Sequence, residues 1–238
     1  MPTWFITGAN RGLGLEFVTQ LSQDEGNTII ATSRSLSPST LEGLKALGNE
    51  SRLHILECDA SSPPSITSLG EQVTSLLGGD GKIDYLLNNA GVNVASQQTA
   101  LTVTAEAILE NVQTNVIGPA LIVQVLEKHL GEGSVVMNMT SGLGSMSDAS
   151  ESETTKCTGY SISKAGVNML TLHQASGLRE RGAVVVCVDP GWVKTALGGE
   201  GALMEKEDSI GGMLKTLKGL KKEDSGKFFA YDGREKAW

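Results

Sequence analysis

Seven short apolar, β-rich runs recur along the chain, at 4–7, 28–32, 53–57, 83–87, 134–139, 183–188 and 227–231. The stretch VVVCV at 184–188 is continuous rather than alternating, as expected of a strand covered by helices on both faces. Between the runs, apolar residues take helical spacing, as at Ile66, Leu69, Val73, Leu76 and Leu77. Strand and helix in this alternation predict an α/β protein with a doubly wound, seven-stranded parallel sheet flanked by helices. There is no internal repeat and no linker, so 1–238 reads as one domain. Two segments break the rhythm: 142–159 is polar and Ser/Thr-rich, and 198–208 is glycine-rich, then acidic. Both read as loops, by default solvated surface. Their places after the fifth and sixth strands make them candidate substrate-side loops, since ligands bind outside the carboxyl ends of strands.

Composition narrows the picture. A length of 238 residues, with 39% hydrophobic and 19% charged residues, suits a globular α/β domain with a sizeable core. The net charge of -8 argues against nucleic-acid or anionic-membrane partners, whose phosphates would repel it. No apolar run approaches the roughly 20 residues of a membrane span, and a strand from the first residues leaves no room for a signal peptide. Cys58, Cys157, Cys187, His54, His129 and His173 are scattered, which predicts no metal site and reduced or structural thiols. A cytoplasmic location is then the default expectation.

The candidate chemistry begins with TGANRGLG at 7–14. Gly8, Gly12 and Gly14 lie between a strand and an amphipathic helix marked by Leu15, Phe17, Val18 and Leu21. Missing side chains let a backbone approach a pyrophosphate, and the helix N-terminus adds N–H groups and partial positive charge. The spacing is G-x-x-x-G-x-G, and a purely structural turn has the same composition. An NAD-binding Rossmann fold usually has a carboxylate about 20 residues beyond the glycines, for the ribose 2′-hydroxyl. Here the region reads ATSRS, with Arg34 in that place and Arg11 inside the turn. Each arginine alone is an exposed charge. Together with the Ser33 hydroxyl they would surround a 2′-phosphate, which favours NADP(H) over NAD(H).

YSISK sets Tyr160 and Lys164 one helical turn apart, on one face. A free phenol has a pKa near 10, and a neighbouring ammonium would lower it towards acid–base work on an alcohol oxygen. A surface pair has the same spacing. Upstream, NMTS leaves the Ser141 hydroxyl at the carboxyl edge of the fifth strand, placed to hold a substrate carbonyl. Asn115 lies on an apolar helix four residues before Pro119, whose nitrogen cannot donate to the Asn115 carbonyl. That carbonyl either anchors a relay water or belongs to a kinked helix with a satisfied amide.

TGANRGLG, NNAG at 88–91, Asn115, Ser141, Tyr160-x-x-x-Lys164 and PGWVKT at 190–195 occur in that order. Together they resemble the short-chain dehydrogenase/reductase family over essentially the whole chain. NMTSGLGS, SKAGVNML and GKFFAYDGREKAW are similar to its C-factor/sniffer-like carbonyl reductase branch. The resemblance implies Tyr160 as acid/base and Lys164 on the nicotinamide ribose, lowering the tyrosine pKa. Ser141 would orient the carbonyl, and Asn115 would hold the relay water. Gly8, Asn10, Arg11 and Leu13, with Gly12 and Gly14, would line the pyrophosphate and adenosine site. Asp59 and Ala60 would meet adenine, and Asn89, Ala90 and Gly91 the ribose and central cofactor. Pro190, Gly191, Val193 and Thr195 would hold the nicotinamide end. The segment 142–159 is longer than the family commonly shows, which leaves the substrate pocket open, and Trp192 is either pocket wall or core. The expected activity is hydride transfer from NADPH to a ketone or aldehyde, or the reverse alcohol oxidation. The expected assembly is a homodimer or homotetramer. The alternative from another class is a cofactor-binding signalling or scaffold protein with little turnover, against which the complete Ser–Tyr–Lys–Asn set counts.

Overall fold

A computed structural model describes residues 1–48, 51–151 and 155–238. Its strands are β1 (Thr3–Ile6), β2 (Thr28–Ser33), β3 (Leu53–Glu57), β4 (Tyr85–Asn88), β5 (Val135–Met139), β6 (Val184–Asp189) and β7 (Phe228–Ala230). They form one sheet in the order β3-β2-β1-β4-β5-β6-β7, every named pairing parallel. All seven predicted runs are strands. The largest displacement is the fourth, where Ile83 is buried but precedes β4, its N–H held by the His129 carbonyl.

The helices are α1 (Gly12–Leu21), α2 (Pro38–Ala46), α3 (Pro63–Leu77), α4 (Ala105–Val112), α5 (Gly118–Leu126), α6 (Met146–Glu151), α7 (Thr158–Gly177) and α8 (Lys206–Gly219). They cover both faces, so neighbouring strand residues enter different cores. Trp4 and Ile6 pack with Phe17, Leu21 and Met213 on one side, while Phe5 packs with Ile66, Leu69 and Leu126 on the other. This is why the strand runs are continuously apolar. On α3 the predicted stripe holds at Ile66, Leu69 and Val73, but Leu76 turns outward.

The sheet order reverses direction between β1 and β4, and a crevice opens there at the carboxyl ends of the strands. The glycine-rich turn follows β1 and the segment from Asn89 follows β4, so this switch point joins the first two sequence motifs.

The two segments read as loops are more ordered than their composition suggests. Within 142–159 lie a single 3₁₀ turn at Gly142–Gly144, helix α6 and the start of α7. Segment 198–208 lies alongside 192–194 in the same direction through the parallel bridge Val193–Met204 and then enters α8. Polar composition hid both, because their hydrogen bonds run to distant residues rather than along a periodic pattern. Among the described residues, no helix is long and apolar enough to cross a membrane.

Candidate active site

Two of the turn glycines sit where another residue would not. Gly8 has a φ of +63°, and a Cβ there would lie 3.0 Å from the Ala90 Cα. At Gly14 a Cβ would lie 2.7 Å from the Asn89 amide nitrogen and closer still to the Gly8 carbonyl. The turn is fixed from across the crevice. Asn89 Nδ2 donates to the carbonyls of Thr7 at 2.7 Å and Gly8 at 3.2 Å, and the Thr7 hydroxyl accepts from the Asn89 and Ala90 N–H groups. Arg11 precedes α1 in an extended conformation and places no side chain on the helix's first N–H groups. These groups face a groove of about 630 Å³.

The groove wall contains Gly8, Asn10, Arg11, Gly12, Leu13, Gly14, Arg34, Asp59, Ala60, Asn89, Ala90, Gly91, Tyr160, Lys164, Pro190 and Thr195. Ser33, Gly191 and Val193 do not line it. Ser33 is fully buried, with its hydroxyl donating to the Ser35 carbonyl at 2.9 Å, so it shapes the turn beneath Arg34. Gly191 is held by the Asp189 carboxylate through its N–H at 3.0 Å, and Val193 is buried behind the bridge to Met204. Ser35, Ser39 and Thr40 line the groove beside Arg34 and were missed in the sequence. The hydroxyl-rich SPST at the start of α2 was the available signal.

The tyrosine–lysine end of the groove is buried. Lys164 is 3% exposed, and its ammonium donates to the Met139 carbonyl at 2.7 Å, 5.4 Å from the centre of the Tyr160 ring. Burial lowers the Lys164 pKa to about 8, against an opposing push from Cys187. Tyr160 is raised well above the usual phenol range, chiefly by burial, with the Ser141 hydroxyl opposing and Asp189 and Cys157 adding to the rise. The expectation of a lowered phenol pKa is therefore corrected. Desolvation of the phenolate outweighs the stabilising groups around it, and the phenol holds its proton at neutral pH. The Ser141 hydroxyl also accepts the Leu143 N–H at 3.2 Å, which fixes it at the end of β5.

Asn115 stands in a π-helical segment, Gln113–Ile117, closed by the Gly118 N–H bonding the Gln113 carbonyl. The ladder slips by one residue just before Pro119, the consequence of its missing donor. The Asn115 side chain is fully used: Oδ1 accepts the Val92 N–H, while Nδ2 donates to the Val92 carbonyl and the Ser163 hydroxyl, each at 2.9 Å. One turn earlier Asn111 does the same to Val94, accepting its N–H and donating to its carbonyl. The chain after β4 is thus clamped by two asparagines. Asn111 was missed, although an Asn-x-x-x-Asn pair on an apolar helix face was legible.

A second cavity, of about 700 Å³, lies between Thr99–Leu101, Gly142, Leu143, α6 and the first turn of α7, lined by the sequence neighbours of Ser141 and Tyr160 and not by those two residues themselves. Trp192 does not belong to the core. It is exposed, and its indole N–H holds the Gly198 carbonyl at 2.7 Å. The three cysteines are unpaired, Cys58 and Cys187 buried and Cys157 partly so.

A switch-point groove running from a glycine turn to a buried tyrosine and lysine defines a Rossmann-type oxidoreductase. The chain belongs to the short chain dehydrogenase family, whose model matches residues 2–206. The C-signal protein of Myxococcus xanthus is 35% identical over 66% of this chain and 94% of its own length. An NADPH-bound carbonyl reductase from chicken fatty liver has a TM-score of 0.92 at 32% identity, covering 100% of this chain and 98% of that one. The carbonyl reductase Sniffer of D. melanogaster gives 0.90 at 28%, covering both chains completely.

Proposed function

We propose that this protein reduces a ketone or aldehyde with NADPH, or oxidises the corresponding alcohol. The observation that carries this reading is the groove itself, which has Arg11 and Arg34 on its wall with no acidic residue at the end of β2, and Tyr160 and Lys164 on the same wall. The residues fit the cofactor. Arg11 and Arg34, with Ser35, Ser39 and Thr40 near them, would hold the 2′-phosphate. The bare turn and the uncapped start of α1 would take the pyrophosphate. Asp59 and Ala60 would meet adenine, Asn89, Ala90 and Gly91 the adjoining ribose, and Pro190 and Thr195 the nicotinamide end. A hydride for the carbonyl carbon is what NADPH supplies when bound.

The chain's own residues handle the oxygen and the proton. Ser141 and Tyr160 offer two hydroxyl donors to a carbonyl oxygen as negative charge develops on it. Tyr160 gives up the proton that burial keeps on it at neutral pH. The resulting phenolate is held by Ser141 and the nearby Lys164 ammonium. Lys164 would also bind the nicotinamide ribose, and the Asn115 carbonyl, to which Pro119 cannot donate, would hold the water that returns a proton. The 700 Å³ cavity would take the remainder of the substrate, with Gly142, Leu143, Asp148, Ala149, Thr155, Lys156 and Thr158 of the 142–159 segment on its wall. The outward apolar residues Leu109, Ile162, Met169 and Leu172 on α4 and α7 support self-association as a homodimer or homotetramer.

The test is a panel of ketones and aldehydes offered to the purified protein, with NADPH consumption followed by absorbance. No turnover above a Tyr160→Phe control with any carbonyl, despite tight NADPH binding, would leave cofactor binding without reduction and overturn the reading.

A further inference from the structure

Lys236 stands in the GKFFAYDGREKAW tail and has been given no role so far, yet its ammonium sits beside Gly142, next to Ser141. It pairs with Asp148 on α6 at 2.9 Å and with Asp189, the last residue of β6, at 3.1 Å. The three charges converge on Gly142, the residue after Ser141. A Cβ there would lie 3.1 Å from the Asp189 carboxylate, 3.4 Å from the Lys236 ammonium and 3.5 Å from the Asp148 carboxylate. The same Asp189 carboxylate holds the Gly191 N–H through its other oxygen.

The lysine is delivered by backbone pairing rather than by chance of rotamer. Its N–H donates to the Phe228 carbonyl at 2.8 Å, and Glu235 bridges antiparallel to Phe229, so 234–236 lie along the edge of the sheet. The following residues hold α6 directly. The Ala237 carbonyl accepts the Ser145 hydroxyl, and the Trp238 carbonyl accepts the Ser147 N–H, both at 2.9 Å. The Trp238 ring packs on Phe228 at 5.6 Å. Helix α6 has six residues, none of them buried, and so short a helix is not stable without such outside contacts.

We propose that Lys236 is a positioning residue for the carbonyl substrate, locking α6, a wall of the second cavity, to the end of β6. This rests on reading Ser141 and Tyr160 as the groups that meet the carbonyl. Without the ammonium, two carboxylates would face each other next to Ser141 and drive α6 away from the sheet. Burial lowers the Lys236 pKa, but its carboxylate partners outweigh this and raise it, so the clamp stays charged through neutral pH. Asp189 also acts on Tyr160, raising its pKa, so the cation that neutralises Asp189 bears on the phenol as well.

The experiment compares full-length wild type with Lys236→Ala, Lys236→Arg and, as a control, Arg234→Ala, whose guanidinium pairs with Asp232 instead. With 4-nitrobenzaldehyde as probe, Lys236→Ala should raise KM about tenfold, the scale of one lost charge-assisted contact. The NADPH Kd should move by less than about twofold, since a positioning defect confined to the substrate side leaves cofactor contacts intact. Lys236→Arg should restore KM. Amide exchange across 145–151 should quicken in Lys236→Ala only, and this readout needs no turnover. Failure of wild type to reduce any carbonyl would therefore sink the proposed activity while exchange still decides the clamp. Unchanged exchange and KM in Lys236→Ala, or the same changes in Arg234→Ala, would overturn the proposal. If Lys236→Ala does not fold, Asp148→Asn removes the α6 side of the pair and must show the same two changes.

Discussion

The Lys164 ammonium donates a hydrogen bond to the main-chain carbonyl of Met139, at 2.7 Å, in a buried site. The last residue of β5 therefore holds the Lys164 cation of α7, and Ser141 lies two residues further along the same chain. Strand β5 positions both of these candidate groups.

A pH dependence of stability follows from that burial. The Lys164 pKa falls from 10.5 in the free side chain to about 8 in the folded protein. Below pH 8 both states are protonated, and the folded state bears the full cost of a buried cation. Between 8 and 10.5 the unfolded chain keeps a proton that the folded one has released, so stability rises with pH there. Urea unfolding of wild type and Lys164→Met from pH 7 to 10 should show wild type gaining on the variant above pH 8. A constant difference across the range would contradict the lowered pKa.

Replacing Tyr160 by Phe should lower kcat by at least about 100-fold, the low end for loss of a general acid. NADPH affinity, measured by fluorescence titration, should change little, because most of the groove wall is untouched. Full turnover in the variant would eliminate the phenol as proton donor.

Arg34→Asp should reverse cofactor preference. Wild type is expected to favour NADPH over NADH by about tenfold or more, since a charge-assisted hydrogen bond contributes about 1.5–3 kcal/mol. The preference should shrink with added salt, because exposed ionic contacts are screened. The variant loses an attraction to the 2′-phosphate and gains an acceptor for the NADH 2′-hydroxyl. Equal wild-type affinities would refute the role given to both arginines.

The glycine turn makes a ranked prediction. At Gly12 a Cβ would meet nothing nearer than Thr195 at 3.9 Å, and the cost of alanine is the positive φ of +57°, about 1–2 kcal/mol. Gly14→Ala must instead push apart the turn and Asn89, an overpacking cost of about 1–3 kcal/mol that also deforms the cofactor groove. Thermal melts should place the two close together, but NADPH binding should suffer more in Gly14→Ala. The opposite order in binding would mean that the close approach at Gly14 does not shape the groove.

Much of this site was legible because its parts are local. The glycine turn, the Tyr160–Lys164 spacing and the Pro119-induced slip beside Asn115 each need only a few neighbouring residues. Strand positions were equally plain, since both faces of the sheet are covered and the apolar runs are unbroken. The parts that stayed hidden depend on distant partners. Ser33 looked available in ATSRS, but the Ser35 carbonyl turns its hydroxyl inward. Burial of Tyr160, which sets the direction of its pKa, is a sum over α7, β5 and β6 that no local spacing contains. Helix α6 is tied to 237–238, just over ninety residues away, so its polar sequence looked irregular.

The bonds between Thr7 and Asn89 have a consequence for the chain as it leaves the ribosome. The glycine turn is synthesised before the donors that fix it, which arrive some eighty residues later. Strand β1 is likewise flanked on one side by β4 and cannot be paired on that edge until then. A nascent chain stopped before residue 85 would display β1 half-paired and a phosphate turn without its lock, and such long-range closure is slow and exposed to misassociation. The fixed geometry of the turn is in this sense acquired later than its sequence, so a chain stalled near residue 80 has the glycine motif without the asparagine that holds it.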